Sequence, residues 1–331
     1  MAPIASPLEI ITNLMTLQYL PQVVHAGVQL GIFDAIGKRP LTSEELAQSI
    51  GLQAGPLERF LTVLVKAGLL QRDDQGRHRL SLTAAYLQTD IPGSLRGWVL
   101  FNGGDFFESW RGLPDALRKG GTAFSHVHGH EFYEQDMQNG GGIASAMEVS
   151  RGFVTPLVNG LQLEGGEVLV DVGGGSGDVI SQFLLKNSDT SGILLERPEV
   201  IAQAQAVLDA AGVGTRCRLV GGSALERVPS GGSTYLLCRV LFNWDDEKAE
   251  LILKRCREAM GPASRLIVFE GILPTPPDLH GSLWDLMLWV NLGGQLRTIE
   301  ALQSLATRAG LAPKRVLRVH REFHLLEFTP A

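Results

Sequence analysis

Residues 167–178, EVLVDVGGGSGD, decide the fold, because an apolar strand there runs directly into a glycine-rich turn. The residues that follow, 178–187, have the apolar spacing of a helix. Strand-like and helix-like segments then alternate as far as residues 264–273, SRLIVFEGIL. This alternation predicts an α/β fold with a doubly wound, Rossmann-like parallel sheet, whose strands end at one ligand-binding edge.

Two acidic residues indicate what the glycine turn binds. Asp171 lies at the end of the first strand, and Glu196 ends the second strand about 20 residues further on, where an acid holds ribose hydroxyls. A pyrophosphate is repelled by an aspartate beside the turn, whereas an ammonium group is attracted to it. The pattern favours S-adenosylmethionine over a dinucleotide, and over a turn that merely packs a helix on a strand. The predicted cofactor-binding residues are Asp171, Gly173, Gly175 and Glu196.

The N-terminal third has a different pattern. Residues 41–51, LTSEELAQSIG, predict a capped helix with Thr42 or Ser43 as N-cap and Glu45 completing a capping box. A second helix and a short hairpin over residues 71–83 complete a winged-helix unit. The second helix has only a weak basic face, so a structural or dimerisation role is favoured over DNA binding. The helices over residues 9–35 are apolar over much of their circumference and predict burial against another subunit, as in a homodimer.

Bulk properties exclude several classes of protein. A chain of 331 residues is long enough for two domains, and its net charge of −6, with no Lys/Arg run, argues against nucleic-acid binding. Cys217, Cys238 and Cys256 are widely spaced, which favours reduced thiols in the cytoplasm over disulfides or a zinc site. No signal peptide or membrane span is predicted. The predicted regions are 1–100 (an N-terminal winged-helix dimerisation domain, helical apart from the hairpin), 101–160 (a helical linker and substrate-pocket region) and 161–331 (the cofactor-binding catalytic domain).

The motifs together resemble the O-methyltransferases with an N-terminal winged-helix dimerisation domain, which methylate plant phenolics, hydroxyindoles and bacterial polyketides. The resemblance runs nearly end to end and includes VVHAGVQLGIFDAI (23–36), LVDVGGGSGD (169–178), RVLFNWDDEKAELIL (239–253) and LGGQLRT (292–298). Within the group, LFNWDDE and GGQLRT are most similar to bacterial anthracycline 4-O-methyltransferases and the related 10-hydroxylase. The resemblance implies methylation of a phenol or enol of a small aromatic or polyketide product.

The sequence departs from this family at its general base. The histidine of an LHDWDD-like run is replaced by Phe242, and the supporting glutamate of a GGxERT-like run is replaced by Leu296. Neither side chain accepts a proton, so we expect proximity and orientation to drive transfer, with Asn243 and Arg297 as the catalytic residues that position the acceptor. Carbon methylation and methyl-free chemistry (hydroxylation, decarboxylation or a pericyclic step) stay open, as does a winged-helix regulator that senses a small ligand.

Further candidates complete the predicted site. Ser223 lies where relatives contact the adenine, and Arg239 lies within the predicted strand segment 233–244; both are assigned to the cofactor. His126, His128 and His130 alternate, which favours a substrate-pocket loop or plain surface over a metal cluster, and one of them could replace the missing base. No metal site is predicted. The predicted substrate-binding residues are Trp110, His128, Met147, Phe242 and Trp289.

Overall fold

The computed structural model describes residues 6–89, 91, 93–134 and 151–331, with residues 151–153 described by their backbone alone. Met147 lies outside the described residues. The chain divides into two compact units, Met1–Phe107 and Glu108–Ala331. Among the described residues, no helix has the length and apolar character needed to cross a bilayer.

The first unit is a small helical body with one hairpin. Thr42 and Glu45 form the predicted capping box, in which the Thr42 hydroxyl accepts from the Glu45 amide and the Glu45 carboxylate accepts from the Thr42 amide. The predicted hairpin is confirmed as β1 (Leu70–Arg72) paired antiparallel with β2 (His78–Leu80). The helices are α1 (Pro7–Leu17), α2 (Leu20–Gln29), α3 (Ile32–Lys38), α4 (Ser43–Ile50), α5 (Ala54–Lys66), α6 (Leu82–Ala85) and α7 (Arg96–Gly103), with α8 (Asp105–Glu108) at the junction.

Helix α1 is the most exposed element of this unit. Its N-terminus is closed by a second capping box, formed by Ser6 and Glu9. No side chain of α1 is buried against the rest of the described chain, although Leu8, Ile11 and Leu14 are apolar and 75%, 61% and 59% exposed. Large apolar side chains on one exposed helix are typical of an interface.

The second unit contains a seven-stranded sheet of order β5-β4-β3-β6-β7-β9-β8. The first five strands in this order are parallel, which confirms the predicted doubly wound sheet. The last two form an antiparallel hairpin on the β7 edge that the sequence analysis did not identify. The strands are β3 (Val168–Val172), β4 (Ser191–Glu196), β5 (Cys217–Gly221), β6 (Thr234–Cys238), β7 (Arg265–Gly271), β8 (Leu311–His320) and β9 (Phe323–Pro330).

Helices cover both faces of this sheet. Successive strand residues alternate between two apolar clusters: Val170 and Val172 of β3 pack into one, and Leu169 packs into the other. Asp171 therefore shares the face of Leu169. The helices are α9 (Leu113–Lys119), α10 (Ala123–His128), α11 (Arg151–Gly160), α12 (Asp178–Lys186), α13 (Pro198–Ala210), α14 (Asp246–Ala259), α15 (Leu279–Leu292) and α16 (Ile299–Arg308).

Candidate functional site

The glycine turn after β3 is held against the neighbouring strand. The Gly173 amide donates to the Leu195 carbonyl at 2.8 Å, and Gly173 and Gly175 have φ of +73° and +58°, a region in which a side chain is strained. A Cβ at Gly174 would lie 2.5 Å from both Asp171 Oδ2 and Leu194 Cδ1. The turn therefore needs glycine because its backbone passes directly over the Asp171 carboxylate.

A pocket of about 240 Å³ opens at the carboxyl edge of the sheet. All six residues predicted to bind the cofactor line it, as does the predicted catalytic residue Asn243. They reach it from the ends of four neighbouring strands, β5, β4, β3 and β6. The sequence-predicted residues around the pocket are Asp171, Gly173, Gly175, Glu196, Ser223, Arg239 and Asn243.

Asp171 is the most unusual group in this pocket. Its side chain is fully buried, and within the described part of the chain neither carboxylate oxygen has a hydrogen-bond partner. Burial, together with the nearby negative charge of Glu196, raises the pKa of Asp171 to about 7. A buried carboxylate without a partner is costly unless a cation neutralises it. The site is therefore suited to a positively charged ligand group.

Glu196 is fixed beside the turn by backbone amides. Its Oε2 accepts from the Gly175 amide at 3.0 Å, and its Oε1 accepts from the Arg197 amide at 2.8 Å. The Arg197 guanidinium lies 3.7 Å from the same Oε1 and 3.5 Å from Glu199 Oε1. These contacts hold the Glu196 carboxylate at the pocket wall, one strand away from Asp171.

Arg239 has a strained backbone at the opposite wall. Its φ of +61° is rare for a residue with a side chain, and its amide donates to the Phe269 carbonyl at 2.8 Å. Burial lowers the pKa of its guanidinium below the ordinary value, and the nearby Glu270 carboxyl only partly opposes this shift. Backbone strain of this kind concentrates at functional sites. No sequence pattern indicated it.

The loop after β6, residues 240–244, is held from both sides by side chains that bind its backbone. Glu270, at the end of β7, is buried and accepts three backbone hydrogen bonds, from Val240 at 2.8 Å, Leu241 at 2.7 Å and Phe242 at 3.3 Å. Burial raises the pKa of Glu270 to about 7, against the opposing effect of these amides and of Arg297. Glu270 therefore positions the loop, and the sequence analysis missed it because its partners are backbone amides.

Arg297 holds the same loop through its carbonyl groups. Its guanidinium donates to the Leu241 carbonyl at 2.9 Å, to the Trp244 carbonyl at 2.8 Å and to Asp246 Oδ1 at 2.8 Å. The side chain is 3% exposed and is not among the described residues that line the pocket. The structure thus shows Arg297 holding the backbone of this loop, and its predicted role in positioning the acceptor stays a prediction.

Phe242 and Leu296, at which the sequence analysis expects the base pair to be lost, lie in one apolar cluster. Both are buried in this cluster together with Leu288. The Phe242 ring also meets the Trp284 ring edge-on, with the two ring centroids 5.9 Å apart. The Gln295 amide donates to the Phe242 carbonyl at 2.9 Å, so the two segments are also joined through their backbones. An apolar cluster therefore occupies positions 242 and 296, where the sequence analysis describes the loss of a histidine and a glutamate.

The other predicted substrate residues lie away from the cofactor pocket. Trp110 and Trp289 pack against a common buried cluster with Ala123. The His128 ring packs on Phe124 with centroids 4.3 Å apart, and its buried Nε2 has no partner among the residues described. His126 Nε2 lies 2.8 Å from the Gly120 carbonyl oxygen. Met147 cannot be placed, since it falls in the undescribed range 135–150.

The pocket has aromatic walls that the sequence analysis did not assign. Tyr133 and Trp244 both line it, and their rings are stacked with centroids 5.1 Å apart. Trp244 belongs to the LFNWDDE motif and could have been included on that ground. Tyr133 has no local spacing signal, because it reaches the pocket only through the tertiary fold.

The chain is similar to known proteins over most of its length. Residues 110–312 match an O-methyltransferase domain, and residues 12–90 match an O-methyltransferase dimerisation domain. The chain is 29% identical to phenazine O-methyltransferase PhzM of Lysobacter antibioticus, over 97% of this chain and 96% of the relative. It is 32% identical to O-demethylpuromycin-O-methyltransferase of Streptomyces alboniger, over 89% of this chain and 81% of the relative.

Solved structures have the same fold over nearly the whole chain. The crystal structure of LaPhzM has a TM-score of 0.92 and 28% identity, covering 99% of this chain and 100% of its own. The structure of NcsB1, an O-methyltransferase from neocarzinostatin biosynthesis in complex with S-adenosylmethionine and 2-hydroxy-5-methyl naphthoic acid, has a TM-score of 0.83 and 28% identity, covering 100% of both chains.

Proposed function

The chain belongs to the O-methyltransferase family whose members carry an N-terminal dimerisation domain, and we propose from that premise that it methylates a hydroxyl of a small aromatic natural product without a histidine base. The methyl donor is S-adenosylmethionine. The acceptor we propose is a phenol or enol of a polycyclic or polyketide-like ring system. Relatives with phenazine and naphthoate acceptors support this class.

One observation carries the cofactor assignment: the buried Asp171 carboxylate that lines the pocket without a hydrogen-bond partner among the described residues. A ligand ammonium would supply the missing partner, and the Glu196 carboxylate at the next strand suits ribose hydroxyls. Gly175 leaves room for such a ligand, since a Cβ built there meets no atom within 4 Å. We assign Ser223 and Arg239 to the same ligand because they line the same pocket.

S-adenosylmethionine, when bound, supplies an electrophilic methyl group on a sulfonium. The protein's own contribution is to hold the acceptor oxygen in line with that methyl. Asn243 lines the pocket and donates from Nδ2 to the Arg239 carbonyl at 3.3 Å, which orients its amide. Glu270 and Arg297 keep the backbone of residues 240–244 in place, so Asn243 can orient an acceptor hydroxyl. Alignment of this kind accounts for much of the rate in a two-substrate reaction.

The proton of the acceptor leaves without help from position 242 or 296. Phe242 and Leu296 are both apolar and buried, so neither removes a proton. We therefore propose an acceptor whose hydroxyl is more acidic than a simple phenol, whose pKa is near 10. Hydroxyquinones, enols of diketones and hydroxyls conjugated to a carbonyl have this property.

We propose that the active form is a homodimer located in the cytoplasm. The match to a dimerisation domain supports the dimer, as does α1 with its exposed Leu8, Ile11 and Leu14. A second copy would remove this apolar surface from water. The cytoplasmic location rests on the three cysteines, all of which are free thiols in the described structure.

Isotope labelling tests this function. The protein is incubated with S-adenosylmethionine carrying a labelled methyl group and a panel of hydroxylated polycyclic aromatics, and mass spectrometry follows product and S-adenosylhomocysteine. Labelled product with equimolar S-adenosylhomocysteine is the expected result, and fragmentation places the label on oxygen. A label on carbon would reject the oxygen acceptor. A changed substrate with no label and no S-adenosylhomocysteine would reject methyl transfer.

A further inference from the structure

Four side chains form a stacked column at the mouth of the cofactor pocket. The Tyr133 ring lies parallel to the Trp244 ring, with centroids 5.1 Å apart and planes inclined by 17°. The Arg197 guanidinium lies 5.6 Å from the Tyr133 ring centroid, and Lys248 Nζ lies 5.4 Å from that of Trp244. Cation–π and stacking contacts of this geometry are attractive. The column is therefore a built structure and not a chance contact between two rings.

The column crosses the pocket from side to side. Arg197 directly follows β4, and Trp244 lies in the loop after β6. Strands β4 and β6 are the two neighbours of β3, whose glycine turn forms the floor of the pocket. Tyr133 contacts both Arg197 and Trp244, and all three residues line the pocket. Its ring therefore connects residues that follow the two strands flanking β3.

The two residues that contact Tyr133, Arg197 and Trp244, are each held by other groups as well. Arg197 is held by the carboxylates of Glu196 and Glu199 at 3.7 and 3.5 Å. The Trp244 carbonyl accepts from the Arg297 guanidinium at 2.8 Å. Arg197 and Trp244 are thus fixed in position, and the Tyr133 ring contacts both of them.

We infer that Tyr133 is a cofactor-binding residue whose ring covers the nucleoside half of S-adenosylmethionine and slows its release. This inference rests on the proposed function. The nucleoside half is indicated because Arg197 directly follows Glu196. Trp244 also lines the same pocket, and packs against the same apolar cluster, as Ala224 and Leu225, which follow Ser223. Asp171, which is suited to the ligand's ammonium, lies instead at the glycine turn that forms the floor of the pocket.

Ligands that contain different halves of the cofactor test this position. Calorimetry is performed with S-adenosylhomocysteine and with 5′-methylthioadenosine, which has the nucleoside but no amino-acid group. We expect Tyr133→Ala to weaken both ligands by about tenfold, because it removes a stacked ring from the binding site. Tyr133→Phe is the matched control and keeps both affinities within about twofold, since it keeps the ring. Asp171→Asn weakens S-adenosylhomocysteine and leaves 5′-methylthioadenosine nearly unchanged.

The outcomes separate this inference from the proposed function. If the unmodified protein binds S-adenosylhomocysteine and Tyr133→Ala binds both ligands as tightly, Tyr133 does not cover the nucleoside. If Tyr133→Ala weakens only S-adenosylhomocysteine, the ring covers the amino-acid half and the inference is equally overturned. If the unmodified protein binds neither ligand, the proposed function itself fails. Melting curves check folding, and Tyr133→Leu, which fills the space without an aromatic face, replaces the alanine variant if that variant does not fold.

Discussion

The affinity for S-adenosylmethionine should rise with pH as Asp171 loses its proton. The pKa of Asp171 is raised to about 7 by burial and by the charge of Glu196, so the ligand-free carboxyl is largely protonated at pH 6. A ligand ammonium binds the carboxylate form, and the apparent Kd is the intrinsic Kd divided by the fraction in that form. That fraction rises from about one-tenth at pH 6 to about one-half at pH 7, so the Kd should fall about fivefold. This pH range stays below about 7.7, at which half of the ligand's own amine has lost its proton.

Calorimetry in buffers with different ionisation enthalpies measures both the Kd at each pH and the number of protons released on binding. At pH 7 we expect about half a proton to be released per ligand bound, because half of the Asp171 carboxyls are still protonated. Asp171→Asn should bind weakly and without this pH dependence. Glu270→Gln is the control for the pH dependence alone, since burial raises the pKa of Glu270 to about 7 as well but Glu270 is not among the described residues that line the pocket. Whatever its effect on affinity through the loop, this variant should keep the roughly fivefold change in Kd between pH 6 and pH 7. Equal affinities at pH 6 and pH 7 with no proton release would refute the reasoning.

Three further changes test other parts of the structure. Gly174→Ala should abolish cofactor binding without unfolding the chain, because its Cβ would lie 2.5 Å from Asp171 Oδ2; binding that survives by calorimetry contradicts the close approach. Arg297→Gln should lower the free energy of unfolding by about 1–3 kcal/mol in urea titrations, since it leaves buried carbonyls without donors. The half-exposed Arg308→Gln, its control, should change that energy little, and equal effects would argue against the positioning role. Ile11→Glu combined with Leu14→Glu should convert a dimer to a monomer in light scattering, because both side chains are exposed on α1; an unchanged mass would place the interface elsewhere.

Signals that act within a few residues predicted the structure well. The capping box of Thr42 and Glu45 was correct because both partners lie in one helical turn. The glycine turn after β3 was correct because a buried strand followed by positive-φ glycines has few alternative conformations. The placement of Asp171 and Glu196 around one pocket followed from the parallel sheet, which brings neighbouring strand ends together.

Features that depend on distant partners were missed. The contacts of Arg297 with the loop were not foreseen, because its carbonyl partners lie more than 50 residues earlier in the chain, in a loop whose course the sequence does not reveal. Glu270 was overlooked because it binds amides that every residue possesses. The β8–β9 hairpin was not identified because most of β8 is exposed at the sheet edge, so apolar residues do not alternate along it.

We propose that Phe242 and Leu296, expected from the resemblance to replace a histidine and a glutamate, are matched to each other. With Phe242 in its apolar cluster, a glutamate at position 296 would be a buried carboxylate facing a phenyl ring, which is costly without a partner. A histidine at 242 facing Leu296 would equally lack its orienting acid. Either residue alone would destabilise the loop, whereas the Phe242–Leu296 contact stabilises it. The groups that position residues 240–244, Glu270 and Arg297, bind backbone atoms and work in the same way with either pair. The loop can therefore keep Asn243 at the pocket with an apolar side chain at position 242. Catalysis by orientation requires this placement of Asn243.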